Sequence, residues 1–284
     1  MIAERFVFGT GRLVSGASKS DSRKLVEAAY KLGFREFDTA PSYGLGGAEE
    51  VLGDVFAGDK DVRINTKVGS ARPSNSYVKS VVRKVKRTLL GNKTEPREFT
   101  LISQAEVPAP QWMNSKDFME RSFEESLRLL RRDSVFTLLL HEAPMAIEGT
   151  PAETFLRENV ASGRASYAGV ANSAVYDAQG ARVGILQASV DPRAFLEGGA
   201  SSGPDIVHSI VPAFRSLVKS NAIDAAEIGR VLASASIKDT ESGSVALAYT
   251  KLLGRGLPGR YIFSTSSVDR LSGFLDCVER LAAA

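Results

Sequence analysis

The chain has 284 residues, 43% of them hydrophobic and 24% charged, which is the balance of a folded globular protein and excludes a disordered or fibrous class. Its formal charge of +3 is mild, and basic residues are spread along the chain except in VRKVKRTLLGNK at 82–93, which reads as a solvated helix face and not as a nucleic-acid site. One cysteine, Cys277 in FLDCVERL, excludes an internal disulfide and a multi-cysteine metal centre, and its place fits the apolar face of a helix.

The N-terminal MIAERFVFG carries charge where a secretory signal needs an unbroken apolar core, and no apolar run approaches the ~20 residues of a membrane span. A soluble cytoplasmic protein is expected, with no membrane and no nucleic-acid partner. From there, β-rich apolar runs alternate with helical patterns. Strands are predicted at FVFGT, FREFDT, VRINTKV, VFTLLLH, SYAGVAN, GILQASV, DIVHSIV and YIFSTS. Helices are predicted at SDSRKLVEAAYKLG, with Ser20 or Asp21 as N-cap and Gly33 as stop, at AEEVLGDVFAG, SKDFMERSFEESLRLLRR and TPAETFLRENVASG, and finally at SGSVALAYTKLLG and SSVDRLSGFLDCVERLAA. AVYDAQGAR and PRAFLEGG are short helical candidates between them.

Strand followed by helix, repeated eight times, is the pattern of a (β/α)₈ barrel, although a doubly wound sheet with an added domain shows a similar alternation. No linker-like stretch or abrupt composition change divides the chain, so one domain over residues 1–284 is expected. The irregular stretches 70–115 and 194–203 then become long loops over the C-terminal face of the barrel, where substrates bind. No heptad or exposed apolar stripe speaks to an oligomeric state.

The N-terminal VFGTGRLVSGASKSDSRKL has the strand, glycines and following helix of a dinucleotide-binding fingerprint, but the spacing fails. Gly16 stands five positions after Gly11 instead of three, and ASKSDS separates it from the helix that should receive the pyrophosphate.

In a barrel the C-terminal strand ends converge on one mouth. The second strand delivers Asp38 and, through FDTAPSYGLGGAE, Tyr43; the third delivers Lys67; the fourth delivers His141. Singly, each has an ordinary structural explanation as a turn cap, a packed ring, a solvated lysine or a core histidine. Together they suit a single chemistry, in which Lys67 stabilises a phenolate on Tyr43, Asp38 holds Lys67 charged and oriented, and His141 hydrogen-bonds a substrate oxygen. Such a site polarises a carbonyl and hands it a proton. The carbon must take its hydride from a cofactor.

The sequence resembles the aldo-keto reductases in the GTG of the first strand, FDTAPSYGLGGAE with EVLG, the TKVG strand end, FEESLRLLRRDSVFTLLLH, GVANS, the Gln of GILQ and YIFSTSSVDRL. The resemblance implies a (β/α)₈ barrel, the catalytic types of the family on Asp38, Tyr43, Lys67 and His141, and an extended NADPH, or NADH, across the mouth. It further implies that Asn172 and Gln187 hold the nicotinamide carboxamide, with Ala171 where the family has serine. His208 takes the place of an aromatic that stacks on the nicotinamide, and SIVPAFR replaces the usual S-P-L-G loop. Arg270, Thr265 and Ser266 fall where the family binds the adenosine phosphate, with Ser264 in place of a lysine of some members and Gly273 and Phe274 in place of the Glu-Asn pair for adenine. A small-molecule aldehyde or ketone is the implied substrate, with Trp112, Phe118 and Phe195 as candidate pocket walls. The AP-x-YGLG form of the loop also looks like the aldose 1-dehydrogenases of the same superfamily, which oxidise a sugar lactol with NAD. A sensor that keeps the nucleotide and hardly turns over is the reading from another class.

Overall fold

The computed structural model of the chain describes residues 2–14, 18–73, 115–143, 147–175, 184–196, 203–256 and 259–284. Eight strands, β1 (Phe6–Gly9), β2 (Glu36–Asp38), β3 (Arg63–Val68), β4 (Val135–His141), β5 (Ala165–Val175), β6 (Ile185–Ser189), β7 (Ile206–His208) and β8 (Arg260–Phe263), pair in sequence order and all in parallel. The last pairs with the first, Phe6 opposite Tyr261 and Phe8 opposite Phe263, so the sheet closes into a (β/α)₈ barrel. The doubly wound alternative is thereby overturned, because an open sheet leaves two edges and this one has none.

Eight α-helices are present among the described residues: α1 (Lys19–Lys31), α2 (Ala48–Phe56), α3 (Lys116–Leu130), α4 (Pro151–Ala161), α5 (Ile210–Lys219), α6 (Ala225–Ser234), α7 (Thr240–Gly254) and α8 (Val268–Ala283). Their starts follow capping chemistry. Ser18, not Ser20 or Asp21, caps α1, because its hydroxyl accepts from the Asp21 amide at 3.0 Å. Ser115, Thr150 with Pro151 behind it, Asp224, Asp239 and Ser267 cap α3, α4, α6, α7 and α8 in the same way. No helix of the described residues is long and apolar enough to cross a membrane.

The region after β6 departs from the sequence pattern. The described part of PRAFLEGG, residues 192–196, holds a 3₁₀ turn, Pro192–Phe195, anchored by the Asp191 side chain. DIVHSIV does not stay extended: β7 ends at His208, Ser209 adopts a left-handed conformation (φ 58°), and α5 begins at once. Helices α5 and α6 are additions to the predicted set. AVYDAQGAR falls almost wholly outside the described residues, as do most of 70–115 and 194–203, the basic 82–93 segment, and Gly16.

Strand alternation sorts side chains between the barrel interior and the shell under the helices. Phe6, Phe8, Phe37, Ile64, Val68, Leu138 and Leu140 face outward into one buried core with the helices. Phe274 of α8 stacks on Phe263 at 3.8 Å between ring centroids and meets Phe6 and Tyr249 edge-on. Cys277 of α8 is buried in that core, as its pattern implied. The intervening strand residues point inward: Glu36 and Asp38 on β2, and Asn65 and Lys67 on β3.

Close packing of α2 on α3 rests on a glycine. A Cβ at Gly53 of α2 would fall 2.0 Å from the Leu129 carbonyl oxygen of α3, a backbone atom that no rotamer change can move. Gly53→Ala should lower the urea midpoint by the equivalent of about 1–3 kcal/mol with the slope unchanged. Gly229→Ala, in the open middle of α6 with nothing within 4 Å, should be neutral or stabilising by about 0.4–1 kcal/mol.

Candidate active site

Two buried charge clusters sit two residues apart on the same strands. Toward the N-terminal end, Glu36 accepts from the Asn65 amide at 2.7 Å and pairs with Arg260. At the C-terminal end, the Lys67 ammonium donates to both Asp38 carboxylate oxygens, at 2.7 and 2.8 Å, and to the Thr39 carbonyl at 2.8 Å. Lys67 and Asp38 are 1% and 2% exposed, so this is a dry ion pair whose charges are matched by hydrogen bonds.

The backbone then brings Tyr43 to that pair. Tyr43 opens a tight turn, Tyr43–Gly46, in which Gly44, Leu45 and Gly46 all have positive φ. Gly44 is required there, since a Cβ would lie 2.6 Å from the Leu13 carbonyl oxygen. The turn lays the Tyr43 ring over Lys67, with the ammonium nitrogen 4.6 Å from the ring centroid. His141, at the end of β4, meets the Tyr43 ring edge-on at 5.9 Å. Asp38, Tyr43, Lys67 and His141 are therefore gathered at one mouth.

Their protonation follows from burial. Burial alone would push the Lys67 ammonium down, but the Asp38 charge and hydrogen bonds to Asp38 and Tyr43 prevail and raise it. The Tyr43 phenol is raised by burial, against the opposing charge and hydrogen bond of Lys67. Lys67 thus opposes the effect of burial on the phenol, which stands above its ordinary value and keeps its proton. His141 is pushed down to about 3 by burial, then by Lys67 and His208, so its ring is neutral. Its Nδ1 is buried without a partner among the described residues.

Around this group stand the candidate cofactor contacts. In the strand register His141 lies beside Ala171 and Ala171 beside Gln187. The Gln187 carbonyl oxygen is buried without a partner among the described residues. The Asn172 amide donates to the Ala143 carbonyl at 3.1 Å. His208 is fixed at both ring nitrogens: Nε2–H donates to the Asn172 carbonyl at 3.1 Å, which leaves Nδ1 to accept from the Ser209 hydroxyl at 2.9 Å. Burial lowers its pKa and keeps that neutral form.

After β8, Ser264 packs on Gly9 so closely that a Cβ there would come within 2.2 Å of its hydroxyl oxygen. Thr265 is buried, and its hydroxyl accepts from the Ser267 amide at 3.2 Å, shaping the turn into α8. Ser266 and Arg270 are exposed at the start of that helix. Of the candidate pocket walls, Phe118 packs against the hydrophobic core from the first turn of α3, Phe195 is 2% exposed and packs on Phe214, and Trp112 lies outside the described residues.

Three features in direct contact with the predicted residues were missed by the sequence reading. These are the Thr39 carbonyl beneath Lys67, the Ser209 hydroxyl on His208, and Glu142, which follows His141 with φ 55° and accepts from the Ser173 amide and hydroxyl at 3.1 and 2.8 Å. The first is a backbone atom and leaves no mark in residue type. A carboxylate directly after the strand-end histidine was the available signal for the third.

A sequence model described as the aldo/keto reductase family matches residues 5–197. Pyridoxal 4-dehydrogenase of Microbacterium luteolum is 44% identical over 61 residues, a match that covers 21% of this chain and only 18% of that enzyme. Among solved structures, the glycerol dehydrogenase from Gluconobacter oxydans superposes with a TM-score of 0.62 at 14% identity, covering 98% of this chain and 89% of its own. An aldo-keto reductase from Klebsiella pneumoniae in complex with NADPH gives a TM-score of 0.61 at 18% identity, covering 98% and 85%. At such identities these structures speak to the fold.

The pKa of His141 gives a direct check. With only two histidines in the chain, carbon-13 histidine NMR should show no inflection for His141 between pH 5 and 9. Because its folded pKa lies below the unfolded value of about 6.5, the contribution of the neutral ring is fully present above pH 6.5 and is lost as pH falls toward 3. His141→Gln should flatten that part of the stability profile in denaturant titrations at several pH values.

Proposed function

The chain belongs to the aldo/keto reductase family, and on that premise we propose that it is an oxidoreductase that reduces an aldehyde or ketone to an alcohol with NADPH. The observation that carries this reading is the Asp38–Lys67 pair beneath the Tyr43 ring, a protonated phenol over a buried cation. The mouth fits a nicotinamide nucleotide: the unpartnered Gln187 oxygen offers an acceptor for a carboxamide N–H, and the start of α8 with Ser266 and Arg270 offers donors for a phosphate. When bound, that nucleotide supplies the hydride.

The chain's own groups handle the proton. His141, neutral at working pH, directs the carbonyl oxygen toward the Tyr43 hydroxyl by hydrogen bonding. Tyr43 gives up its proton as negative charge develops on that oxygen, and the phenolate left behind is held by the Lys67 charge. Asp38 keeps Lys67 protonated and in place through both phases, so no group has to reorganise at the moment of transfer. In the reverse direction the same phenolate removes the hydroxyl proton of an alcohol.

A second reading, oxidation of a sugar lactol with NAD, is supported by Ser264, which is uncharged where some members carry lysine. It uses the same four residues in reverse and differs in the nucleotide. Comparing NADP(H) with NAD(H) affinity separates the two, with the tighter binding of the phosphorylated form expected on the leading reading.

Tyr43→Phe should lower kcat by about 10³-fold, within the range for a removed general acid, and leave nucleotide affinity near that of the wild type. Loss of NADPH absorbance with a reactive aromatic aldehyde measures the first and nucleotide fluorescence titration the second. Full activity with phenylalanine at 43 would refute the assignment.

A further inference from the structure

The turn that carries Tyr43 has three consecutive residues at positive φ, Gly44 at 58°, Leu45 at 56° and Gly46 at 87°, and no side chain caps the helix that follows it. Leu45 has a Cβ and does not favour this region, so the turn needs support from outside its own sequence. That support comes from the segment after β3. The Arg72 guanidinium reaches the Pro41 and Gly46 carbonyls, on either side of Tyr43, both at 3.4 Å, while its stem lies alongside Gly46, where a Cβ would be in ordinary contact with Arg72 Cγ at 3.5 Å.

Arg72 is itself fixed by a carboxylate. Its Nη2 donates to Glu49 Oε2 at 2.7 Å, and the other Glu49 oxygen accepts from the Thr66 hydroxyl at 2.6 Å. Glu49 lies in the first turn of α2 and has no exposed surface. Thr66 immediately precedes Lys67. One network thus joins the turn bearing Tyr43, the helix after it and the strand bearing Lys67.

We infer that Arg72 and Glu49 form a strap that positions Tyr43 over Lys67, Arg72 acting as a positioning residue and not as a group that touches substrate. This inference rests on the role proposed for Tyr43. A fork with several donors can span two carbonyls and a carboxylate at once, whereas a lysine offers a single head. Arg72→Met should therefore release the turn, and Arg72→Lys should keep the charge against Glu49 while losing the bridge.

Hydrogen exchange with mass spectrometry, together with steady-state kinetics, tests this on the full chain. In Arg72→Met, amides within 40–47 should exchange at least 10-fold faster with the rest of the barrel unchanged, and kcat should fall 10- to 100-fold with nucleotide affinity retained. Adding Arg72→Met to Tyr43→Phe should cost no further activity, because the strap acts through the phenol. If Arg72→Met fails to fold, Arg72→Lys carries the same measurements with smaller effects. Unchanged exchange at 40–47 would overturn the strap whatever Tyr43 does, and an additive loss in the double variant would overturn its action through Tyr43. Full activity of Tyr43→Phe would overturn both the acid assignment and this positioning role, with the exchange data still reporting whether Arg72 holds the turn.

Discussion

A charged lysine sealed inside a barrel has to be answered by nearby acceptors, and much of the mouth is arranged by that requirement. Removing one partner of such a pair typically costs about 3–5 kcal/mol, because the other charge is left dry and unmatched. Lys67 and Asp38 meet because β2 and β3 are neighbours in register, Asp38 beside Asn65, and because alternation turns Lys67 inward two residues later. The same alternation places Glu36 and Asn65 inward at the other end, where Arg260 from β8 completes the balance. Two adjacent strands thus carry one neutralised cluster at each end, with their alternate residues packed under the helices.

What the lysine holds in turn is a phenol that stays protonated. Burial raises the Tyr43 pKa and Lys67 opposes it, which suits the role proposed for it, a group that keeps its proton at rest and releases it under the demand of a developing alkoxide. His141 and His208 are both neutral for the same reason of burial, so neither ring adds a charge to the Lys67–Asp38 pair and both act as hydrogen-bonding groups. The Nε2–H of His208 points to the Asn172 carbonyl and ties β7 to β5. Sequence placed this imidazole as a stacking surface, and its two anchored nitrogens define the plane of the ring.

The strands and the four mouth residues were legible because parallel strands buried on both faces read as short apolar runs, and because a polar residue ending such a run stands out, as His141 does after Leu138, Leu139 and Leu140. The helices α5 and α6 were not legible. Ile210 and Val211 continue the apolar run of β7, and only the left-handed Ser209, which residue type does not announce, breaks it. The first cap was misplaced because Ser18, Ser20, Asp21 and Ser22 are all good capping types, and the amide that reaches a hydroxyl settles which of them acts. Arg72 and Glu49 were invisible for another reason: each looks like an ordinary surface charge until the fold buries Glu49 and lays the arginine across a turn.

The match to the family covers residues 5–197 and so takes in β1 to β6 and all four residues of the proposed proton pathway, while β7, β8 and the start of α8 lie beyond it. Of the departures that the resemblance brought out, Ala171 lies within the matched part, while His208, the immediate entry into α5, Ser264, Gly273 and Phe274 lie beyond it. Physical chemistry accounts for such a division. Proton transfer depends on a few side chains held to fractions of an ångström, so Asp38, Tyr43, Lys67 and His141 admit little change in type. Phosphate recognition draws heavily on backbone N–H groups at a helix N-terminus, which any residue supplies. A lysine can give way to Ser264, and a polar adenine contact to Phe274 packed between Phe263 and Phe6, while the cap of Ser267 on α8 and the exposed Arg270 remain. On the function proposed above, the strand ends of β2 to β4 would set what reaction the barrel performs, and the turn from β8 into α8 which nucleotide it performs it with.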